Sequence, residues 1–442
     1  MGRNRTTRMN SSLRFDPLPT MDDCGAIVFH PNSPAAANSV WTNSPKIRAF
    51  QYKSGDPRCL YRQMRVTLSF SAGLLFVVMC FCQFASYAGE SAAITPVPPR
   101  TTQETIDAYI RREMESQHVP GLSLAVVRDG KLVQARGYGK SSLELNAPAT
   151  EKTLYGLGSI SKQFTAAAVM LLVEDGKLKV QDPLTLFFAW LPKEWSKITV
   201  RHLLTHTSGI RDEEWKDGIT EFDRFEHKQE EVVKTAFGPL LSPPGEKFRY
   251  SNVGYRLLGM IIEKMSGQSY WDFLEDRIFR PTGMEVTRNS DPKTVITNRA
   301  RGYGFADGHQ INREPVTASA AFSEGALISS ALDMVKWDAV LASERLLKKT
   351  TLEQMWTPVR LNDRTISEYG FGWFLRPIPG HRTVGHGGGL PGFSTFIWRF
   401  MDDKLTVIVL SNSETADTAR MALSVAGYYI PVLVSPEIKT QF

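Results

Sequence analysis

Strand-like patterns lie near both ends of the second part of this chain, and helix-like patterns fill the middle. Residues 122–127 and 131–138 alternate in polarity and are joined by Asp129-Gly130, a strong hairpin signal. Further strand candidates are residues 369–375, 383–385, 393–400 and 405–410. Helical spacing recurs in residues 102–115, 159–173, 199–205, 255–265, 270–279 and 332–342, and again after Thr415. Because strands and helices do not alternate along the chain, we predict one antiparallel sheet formed by both ends, with an inserted helical region, rather than a doubly wound parallel sheet.

The first hundred residues differ in composition from the rest. Residues 66–82 carry no charge, follow Arg62 and Arg65, and precede a small-x-small run at 86–88, which is the layout of a secretory signal. We therefore expect residues 64–88 to be a signal peptide that starts at Met64, 89–100 a linker, and 101–435 the folded domain. Residues 1–63 are interpreted as a disordered extension or an over-long gene model. An uncleaved membrane anchor is the alternative, and either interpretation puts the domain outside the cytoplasm.

Charge and cysteine content exclude several classes of function for this domain. Residues 1–65 contain ten Lys and Arg against four Asp and Glu, so the net charge of +6 belongs to this leader and the rest of the chain is balanced. A neutral domain without a basic stripe does not indicate nucleic-acid binding. All four cysteines lie before residue 83, which leaves no thiol nucleophile or cysteine metal site in the domain. We predict no metal, no cofactor and no nucleic-acid partner.

The Ser-x-x-Lys pattern from Ser159 to Lys162 lies at the start of a long apolar segment that is typical of a buried helix. Three residues along a helix bring both side chains to one face, where a partly desolvated amine can take the hydroxyl proton. A helix N-terminus also supplies free N–H groups and partial positive charge, which suit an oxyanion. This pair is our candidate nucleophile and base.

Other patterns in the sequence are weaker. A second Ser-x-x-Lys begins at Ser290, but it contains a proline and no apolar helix follows, so we interpret it as chance. His202 and His206 have the spacing of a metal pair, yet Leu203 stands where a zinc protease needs Glu, which favours packing and capping roles. The sequence contains no Gly-x-Ser-x-Gly nucleophile elbow.

Tyr250 and Asn252 form the one Tyr-x-Asn pattern in the sequence, between a Pro-Pro-Gly turn and a helix predicted to begin near Val253. A phenol beside an ammonium group can relay protons, and an amide can orient a lysine and a substrate carbonyl. A buried tyrosine with a satisfied hydroxyl is the alternative.

His386 opens a His-Gly-Gly-Gly segment after the predicted strand 383–385. Gly387 and Gly388 lack side chains, so a substrate can lie against this strand edge and pair with its backbone. Gly387, Gly389 and Gly392 also match Gly-x-Gly-x-x-Gly, but a strand follows where a dinucleotide loop must open a helix, so we reject that cofactor.

Taken together, the Ser-x-x-Lys, Tyr-x-Asn and His-x-Gly elements, with residues 158–165, 202–209 and 250–255, resemble the serine β-lactamase and penicillin-binding protein superfamily. The likeness covers about residues 100–430. It is strongest to the branch with class C β-lactamases, D-alanyl-D-alanine carboxypeptidases and β-lactamase-like esterases. The resemblance implies an α+β fold, in which a mixed, mainly antiparallel sheet built from both chain ends is flanked by helices and carries an inserted, mostly helical lobe.

The resemblance also implies roles for the candidate residues. Ser159 would be the acylated nucleophile, and Lys162 and Tyr250 would share the work of the general base. Asn252 would orient Lys162 and the substrate, and the N–H groups of Ser159 and Gly389 would form the oxyanion hole.

His386 stands where class C β-lactamases have a lysine. Because a histidine is neutral for much of the time near pH 7, the fixed cation that holds a β-lactam carboxylate is weakened. This departure favours ester or peptide substrates over β-lactams.

We therefore predict a periplasmic or secreted serine hydrolase that acts through an acyl-enzyme on Ser159. Its substrate would be a small molecule or peptide, among esters, D-alanyl peptides and β-lactams, and any membrane contact would be through an uncleaved leader. The sequence does not indicate an oligomeric state. Two alternatives remain open: a catalytically idle, penicillin-binding-like receptor, and a Ser-His-Asp hydrolase that uses His386.

Overall fold

The computed structural model describes residues 101–212 and 224–434. The predicted extension 1–63, signal peptide 64–88 and linker 89–100 lie outside these residues. None of the helices within the two described ranges is long and apolar enough to cross a lipid bilayer.

The described chain contains thirteen strands and eleven α-helices. The strands are β1 Gly121–Arg128, β2 Lys131–Ser142, β3 Ala147–Pro148, β4 Leu154–Gly156, β5 Arg288–Asn289, β6 Tyr303–Ala306, β7 His309–Asn312, β8 Leu327–Ser330, β9 Val359–Arg360, β10 Ile366–Ser367, β11 Thr383–Leu390, β12 Phe393–Phe400 and β13 Leu405–Ser411. The helices are α1 Thr102–Ser116, α2 Ser161–Glu174, α3 Val200–Leu204, α4 Gln229–Thr235, α5 Asn252–Ser266, α6 Tyr270–Leu274, α7 Arg280–Thr282, α8 Ala318–Gly325, α9 Ala331–Leu341, α10 Lys349–Met355 and α11 Thr418–Gly427.

The main sheet has six strands in the order β11-β12-β13-β1-β2-β3. Its central pair joins the two chain ends, with Leu122 of β1 opposite Ser411 of β13, and every strand pair in this sheet is antiparallel. The predicted hairpin forms at Asp129 and Gly130, which have φ of 51° and 71°, a combination that a two-residue turn requires. The predicted α+β fold, with a sheet built from both ends of the chain, is confirmed.

The two faces of this sheet contribute to different hydrophobic clusters. On β1, Leu124 and Val126 face α1 and α11, on what we call the outer face, whereas Ala125 faces the cluster around α2, on the inner face. Strand β13 repeats the alternation, with Val407 on the outer face and Ile408 on the inner face. Period-two side-chain direction therefore separates the two clusters.

The strand predicted at residues 369–375 does not form. Within the described chain, this segment makes only isolated bridges, from Tyr369 to Phe374 and from Phe374 to Gly385. Gly372 turns the backbone at φ 78°, and a Cβ there would lie 2.7 Å from the carbonyl oxygen of Lys162. The segment is apolar because it packs against α2. Its local sequence pattern is the same as that of a strand paired in a sheet, so the pattern alone does not distinguish the two. The strand predicted at 383–385 is correct but too short, since β11 continues through the glycines to Leu390.

Helix α2 runs through the interior of the inserted helical region. Every side chain from Ser161 to Leu172 is buried, which agrees with the apolar segment seen in the sequence. A helix that is enclosed on all sides cannot shift easily, so its first turn holds the neighbouring residues in fixed positions.

Candidate active site

Ser159 lies in a 3₁₀ turn, Gly158–Ile160, that leads directly into α2. Gly158 has φ 53°, and a Cβ on it would lie 2.7 Å from the backbone nitrogen of Gly389. Only a residue without a side chain permits this contact. The turn is therefore held against the glycine-rich end of β11, and Ser159 lies between the helix and the strand.

The amine of Lys162 contacts three oxygens. Its Nζ lies 3.0 Å from Ser159 Oγ, 2.9 Å from Asn252 Oδ1 and 2.9 Å from the carbonyl oxygen of Glu324. Burial lowers the pKa of Lys162 from 10.5 to about 8, and the nearby carboxylates of Glu324 and Asp212 oppose that change. A substantial fraction of the amine is neutral at mildly alkaline pH as a result.

Tyr250 lies over the same amine, with its ring centroid 4.9 Å from Lys162 Nζ. Burial raises the pKa of the Tyr250 hydroxyl well above its ordinary value, and the Ser159 hydroxyl opposes this rise. Tyr250 is thus an uncharged phenol beside the serine. Its hydroxyl has no hydrogen bond of good geometry to any described residue.

His206 supports Tyr250 from the far side. The two rings stack with centroids 4.2 Å apart, and His206 Nδ1 accepts a hydrogen bond from Ser251 N at 3.0 Å. Burial, together with the charge on Lys162, holds the pKa of His206 well below its usual value. His202 caps α3 instead, where its Nδ1 accepts from Thr199 N at 3.1 Å. Both histidines have the packing and capping roles that their sequence context favours.

Asn252 is the first residue of α5, and two caps fix it there. Ser251 Oγ accepts from Gly254 N, and the Asp212 carboxylate accepts from the backbone N–H of Asn252 and Val253 at 2.8 and 3.0 Å. A carboxylate at a helix N-terminus is favourable because the first N–H groups have no partner within the helix. The Asn252 amide oxygen is thereby directed at Lys162.

His386 is buried and neutral. Its Nδ1 lies 2.6 Å from the carbonyl oxygen of Gly387, which can only accept, so Nδ1 carries the proton. Its Nε2 lies 3.0 Å from the Tyr369 hydroxyl and accepts from it. Burial lowers the pKa of His386 to about 3. The partly cationic histidine considered from the sequence is therefore an uncharged residue here.

Part of this group of residues lines a cavity of about 320 Å³. Its lining includes Ser159, Tyr250, His386 and Gly387 of the predicted site, together with Phe374 and Arg376. Strand β11 is at the sheet edge, as a strand that pairs with substrate must be. The predicted residues Ser159, Lys162, Tyr250, Asn252 and His386 thus lie together.

The three glycines after His386 differ in their surroundings. A Cβ on Gly388 would lie 1.8 Å from the carbonyl oxygen of Leu157, so this residue must be glycine for packing against the turn before Ser159. A Cβ on Gly387 would meet the Phe396 ring at 3.1 Å, whereas one on Gly389 would meet nothing within 4 Å. Packing therefore explains Gly388, whereas Gly389 is exposed and borders open space.

A buried ion pair behind Lys162 was not predicted from the sequence. Arg256 Nη2 lies 3.0 Å from Glu324 Oε1, and both side chains are less than 10% exposed. Arg256 also donates to the carbonyl oxygens of Ser319 and Ala320, so it holds the segment that presents Glu324 to the lysine. The one available signal was Arg256 itself, the sole charged residue in the apolar run 253–262.

The second Ser-x-x-Lys pattern has no comparable arrangement. Ser290 follows strand β5, and Lys293 is exposed, with its Nζ 3.5 Å from Glu226 Oε1. It lies in a loop, in agreement with its interpretation as a chance match.

Comparison with known proteins gives a consistent result for the family. A family model described as Beta-lactamase matches residues 106–428. Penicillin-binding protein 4* of Bacillus subtilis (strain 168) is 32% identical over 320 residues, which cover 68% of this chain and 70% of that protein. Protein flp of Staphylococcus aureus (strain MW2) is 26% identical over 319 residues, which cover 70% of this chain and 63% of that protein.

Solved structures with the same fold include a penicillin-binding protein homologue and an amidase. The octameric penicillin-binding protein homologue from Pyrococcus abyssi superposes with a TM-score of 0.67 at 30% identity, covering 75% of this chain and 78% of that one. The D-amino acid amidase from Ochrobactrum anthropi SV3 has a TM-score of 0.67 at 27% identity, covering 75% and 99%. The fold and these relatives define a serine hydrolase or acyltransferase in general. The chain belongs to the Beta-lactamase family.

Proposed function

We propose that this chain is an extracytoplasmic serine hydrolase that forms an acyl-enzyme on Ser159 and cleaves an ester or an amide. One observation carries the proposal: the buried Lys162 amine lies 3.0 Å from Ser159 Oγ. Burial lowers the pKa of that amine to about 8, so it can act as a base near neutral pH.

The contacts of Lys162 define how the first step proceeds. A neutral amine donates its two N–H bonds to Asn252 Oδ1 and the Glu324 carbonyl, which directs its lone pair at Ser159 Oγ. The amine takes the hydroxyl proton as Oγ bonds to the substrate carbonyl carbon. The carbonyl oxygen gains negative charge, which the N–H groups of Ser159 and Gly389 would stabilise.

Collapse of this intermediate breaks the bond to the leaving group. Tyr250 remains a phenol because burial raises its pKa, so its role is to pass the proton from Lys162 to the departing alkoxide or amine. Water then attacks the acyl-Ser159 ester, its proton goes to the same relay, and the carboxylic acid leaves as Ser159 regains its hydroxyl.

The neutral state of His386 affects which class of substrate the site favours. A β-lactam or D-alanyl carboxylate needs a cation beside the reacting carbonyl, and the position that carries a lysine in the resembled class C enzymes is uncharged here. Arg376 also lines this cavity and is a cation, but it does not occupy that position. We therefore favour esters and simple amides over β-lactams, and the amidase among the structural relatives supports an amide. The predicted signal at residues 64–88 is the reason for placing the enzyme in the periplasm or outside the cell.

A chromogenic ester and mass spectrometry test the proposal. Residues 101–442 should give a burst of product and a mass increase on Ser159, and Ser159→Ala should remove both. Lys293→Ala is the control, because it alters the other Ser-x-x-Lys at an exposed residue and should behave as wild type. The alternative is an idle receptor, for which no acyl-Ser159 forms or an adduct persists without turnover. Unchanged activity in Lys162→Ala would instead favour a Ser-His-Asp enzyme.

A further inference from the structure

A second cavity of about 180 Å³ lies beyond the glycine-rich end of β11. Leu390 and Pro391, which follow directly after Gly389, form part of its wall. Gly156, two residues before the turn that holds Ser159, forms another part. We call this cavity the arginine pocket, because its lining includes Arg299, Arg301 and Arg313.

The arginine pocket and the cavity at His386 lie on opposite sides of the nucleophile along β11. Gly385, His386 and Gly387 line the first cavity together with Ser159. Gly388 and Gly389 contact the turn at Gly158, and the arginine pocket begins one residue later. A carbonyl group bound at Ser159 therefore has one cavity for each of its two substituents.

The walls of the arginine pocket combine apolar surface with three guanidinium groups. Val316, Ile328, Leu390 and Phe393 supply the apolar part. Of the three guanidinium groups, that of Arg313 is held by Glu414, with Nε 2.8 Å from both carboxylate oxygens.

Within the described part of the chain, Arg299 and Arg301 make no such paired hydrogen bonds with a carboxylate, although an acidic residue lies near each of them. Arg301 is exposed, and its nearest carboxylate oxygen, on Glu144, lies 3.9 Å away. Arg299 is half-buried, and among the described residues its guanidinium hydrogen-bonds to the carbonyl oxygen of Asp291 at 2.8 Å. Burial lowers the pKa of Arg299, and the nearby Asp291 carboxylate opposes that change. Among the described residues, the Asp291 carboxylate accepts its hydrogen bonds from Lys293 N and Thr294 Oγ1. The guanidinium of Arg299, which has five N–H donors, can therefore still bind an anionic ligand.

We propose that the arginine pocket selects substrates in which one substituent of the reacting carbonyl carries a carboxylate on a short hydrocarbon body. Arg299 receives the carboxylate, because guanidinium and carboxylate groups match as paired donors and acceptors, and the apolar wall covers the hydrocarbon. This inference rests on the proposed hydrolase function and adds a substrate class to it. The anionic group would bind on the side of the nucleophile away from the neutral His386.

Two pairs of esters test the inference and find which substituent is recognised. In the first pair, 4-nitrophenyl butyrate is compared with the 4-nitrophenyl monoester of glutarate, which adds a carboxylate to the acyl group. In the second, phenyl butyrate is compared with 4-carboxyphenyl butyrate. In the pair whose carboxylate is on the recognised substituent, kcat/KM should be higher for the anionic ester than for the neutral one. Arg299→Met should lower kcat/KM for this anionic ester about 10- to 100-fold and change kcat/KM for the neutral ester by less than twofold. Arg299→Lys should restore part of the loss, and Arg360→Met, an exposed arginine outside both cavities, should have no effect.

A binding measurement keeps the inference separate from the proposed function. The Ser159→Ala variant is titrated with the amide counterparts of both ester pairs: 5-amino-5-oxopentanoate against butyramide, and 4-(butanoylamino)benzoate against N-phenylbutanamide. In the pair whose carboxylate is on the recognised substituent, the anionic amide should bind at least tenfold tighter, and Arg299→Met should remove the difference. Equal binding within both pairs, or equal effects of Arg299→Met on neutral and anionic esters, would overturn the inference. Failure of every ester to react with wild type would count against the hydrolase, and the titration would still decide on the pocket.

Discussion

The side chains packed on the outer face of the six-stranded sheet are mainly apolar, whereas the layer that packs on the inner face contains a group of buried charged residues. On the outer side, Leu124 and Val407 pack against α1 and α11 with no exposed surface. On the inner side, Lys162 and Arg256 are at most 2% exposed, with Glu324 beside them. Hydrocarbon burial stabilises directly, but buried charges cost desolvation that only partner groups offset. We conclude that apolar packing on the outer side stabilises the fold, whereas the buried charges on the inner side cost stability and keep the Lys162 amine reactive.

Replacing Lys162 with Met tests that conclusion most strongly. Loss of the base should lower the rate of Ser159 acylation roughly a thousandfold. Stability should change by no more than about 2 kcal/mol, because removing a buried ammonium offsets the loss of its hydrogen bonds. Burst kinetics and denaturant unfolding measure the two effects. If Lys162→Met lowers stability by clearly more than this amount but the folded variant acylates at the wild-type rate, the lysine is structural.

Replacing Arg256 with Met should have its main effect on stability. The change leaves Glu324 buried without its ion-pair partner, which costs about 3–5 kcal/mol of unfolding free energy. The double variant Arg256→Met, Glu324→Gln removes both charges and should recover part of that loss. Urea unfolding of the set measures it. Equal stability of the single and double variants would show that Arg256 and Glu324 are not coupled.

A change on the outer face should affect stability alone. Leu124→Ala removes a fully buried side chain from the cluster with α1 and should cost about 2–5 kcal/mol. Acylation at a temperature where the variant remains folded should match wild type. A tenfold loss of acylation rate there would contradict the separation of the two faces.

On catalysis, Glu324→Gln should produce the smallest effect of these changes, a shift in pH dependence, although it also leaves Arg256 without its ion-pair partner. The carboxylate favours the charged form of Lys162, so its removal should lower the pKa of the amine and move the acid limb of kcat/KM about one pH unit lower. The Glu324 carbonyl still accepts from Lys162, so the maximum rate should change little. A limb that stays in place would mean that Glu324 does not act on the amine.

The sequence predicts the parts of this arrangement that depend on local patterns. Alternation located β1, β2, β12 and β13, and the spacing of Ser159 and Lys162 identified the pair that the structure places in contact. Residues 369–375 were interpreted wrongly, because an apolar segment that packs on α2 has the same local pattern as a strand. Arg256 and Glu324 are 68 residues apart in the sequence. A local sequence pattern does not show that two such distant residues form an ion pair.

His386 shows the same limit at a single residue. Its type indicated a group that is neutral for much of the time near pH 7. Only the contacts with Gly387 and Tyr369, and the burial that lowers its pKa to about 3, show that it stays neutral at physiological pH. Environment, rather than residue type, determines that charge.

The pH dependence of Ser159 acylation in a single turnover tests the central claim most directly. With a neutral ester between pH 6 and 10, the rate should rise with one group of apparent pKa about 8 and then level off, since acylation requires the neutral Lys162 amine. A rate that is independent of pH, or that keeps rising to the ordinary lysine pKa of 10.5, would contradict a buried amine acting as the base for Ser159.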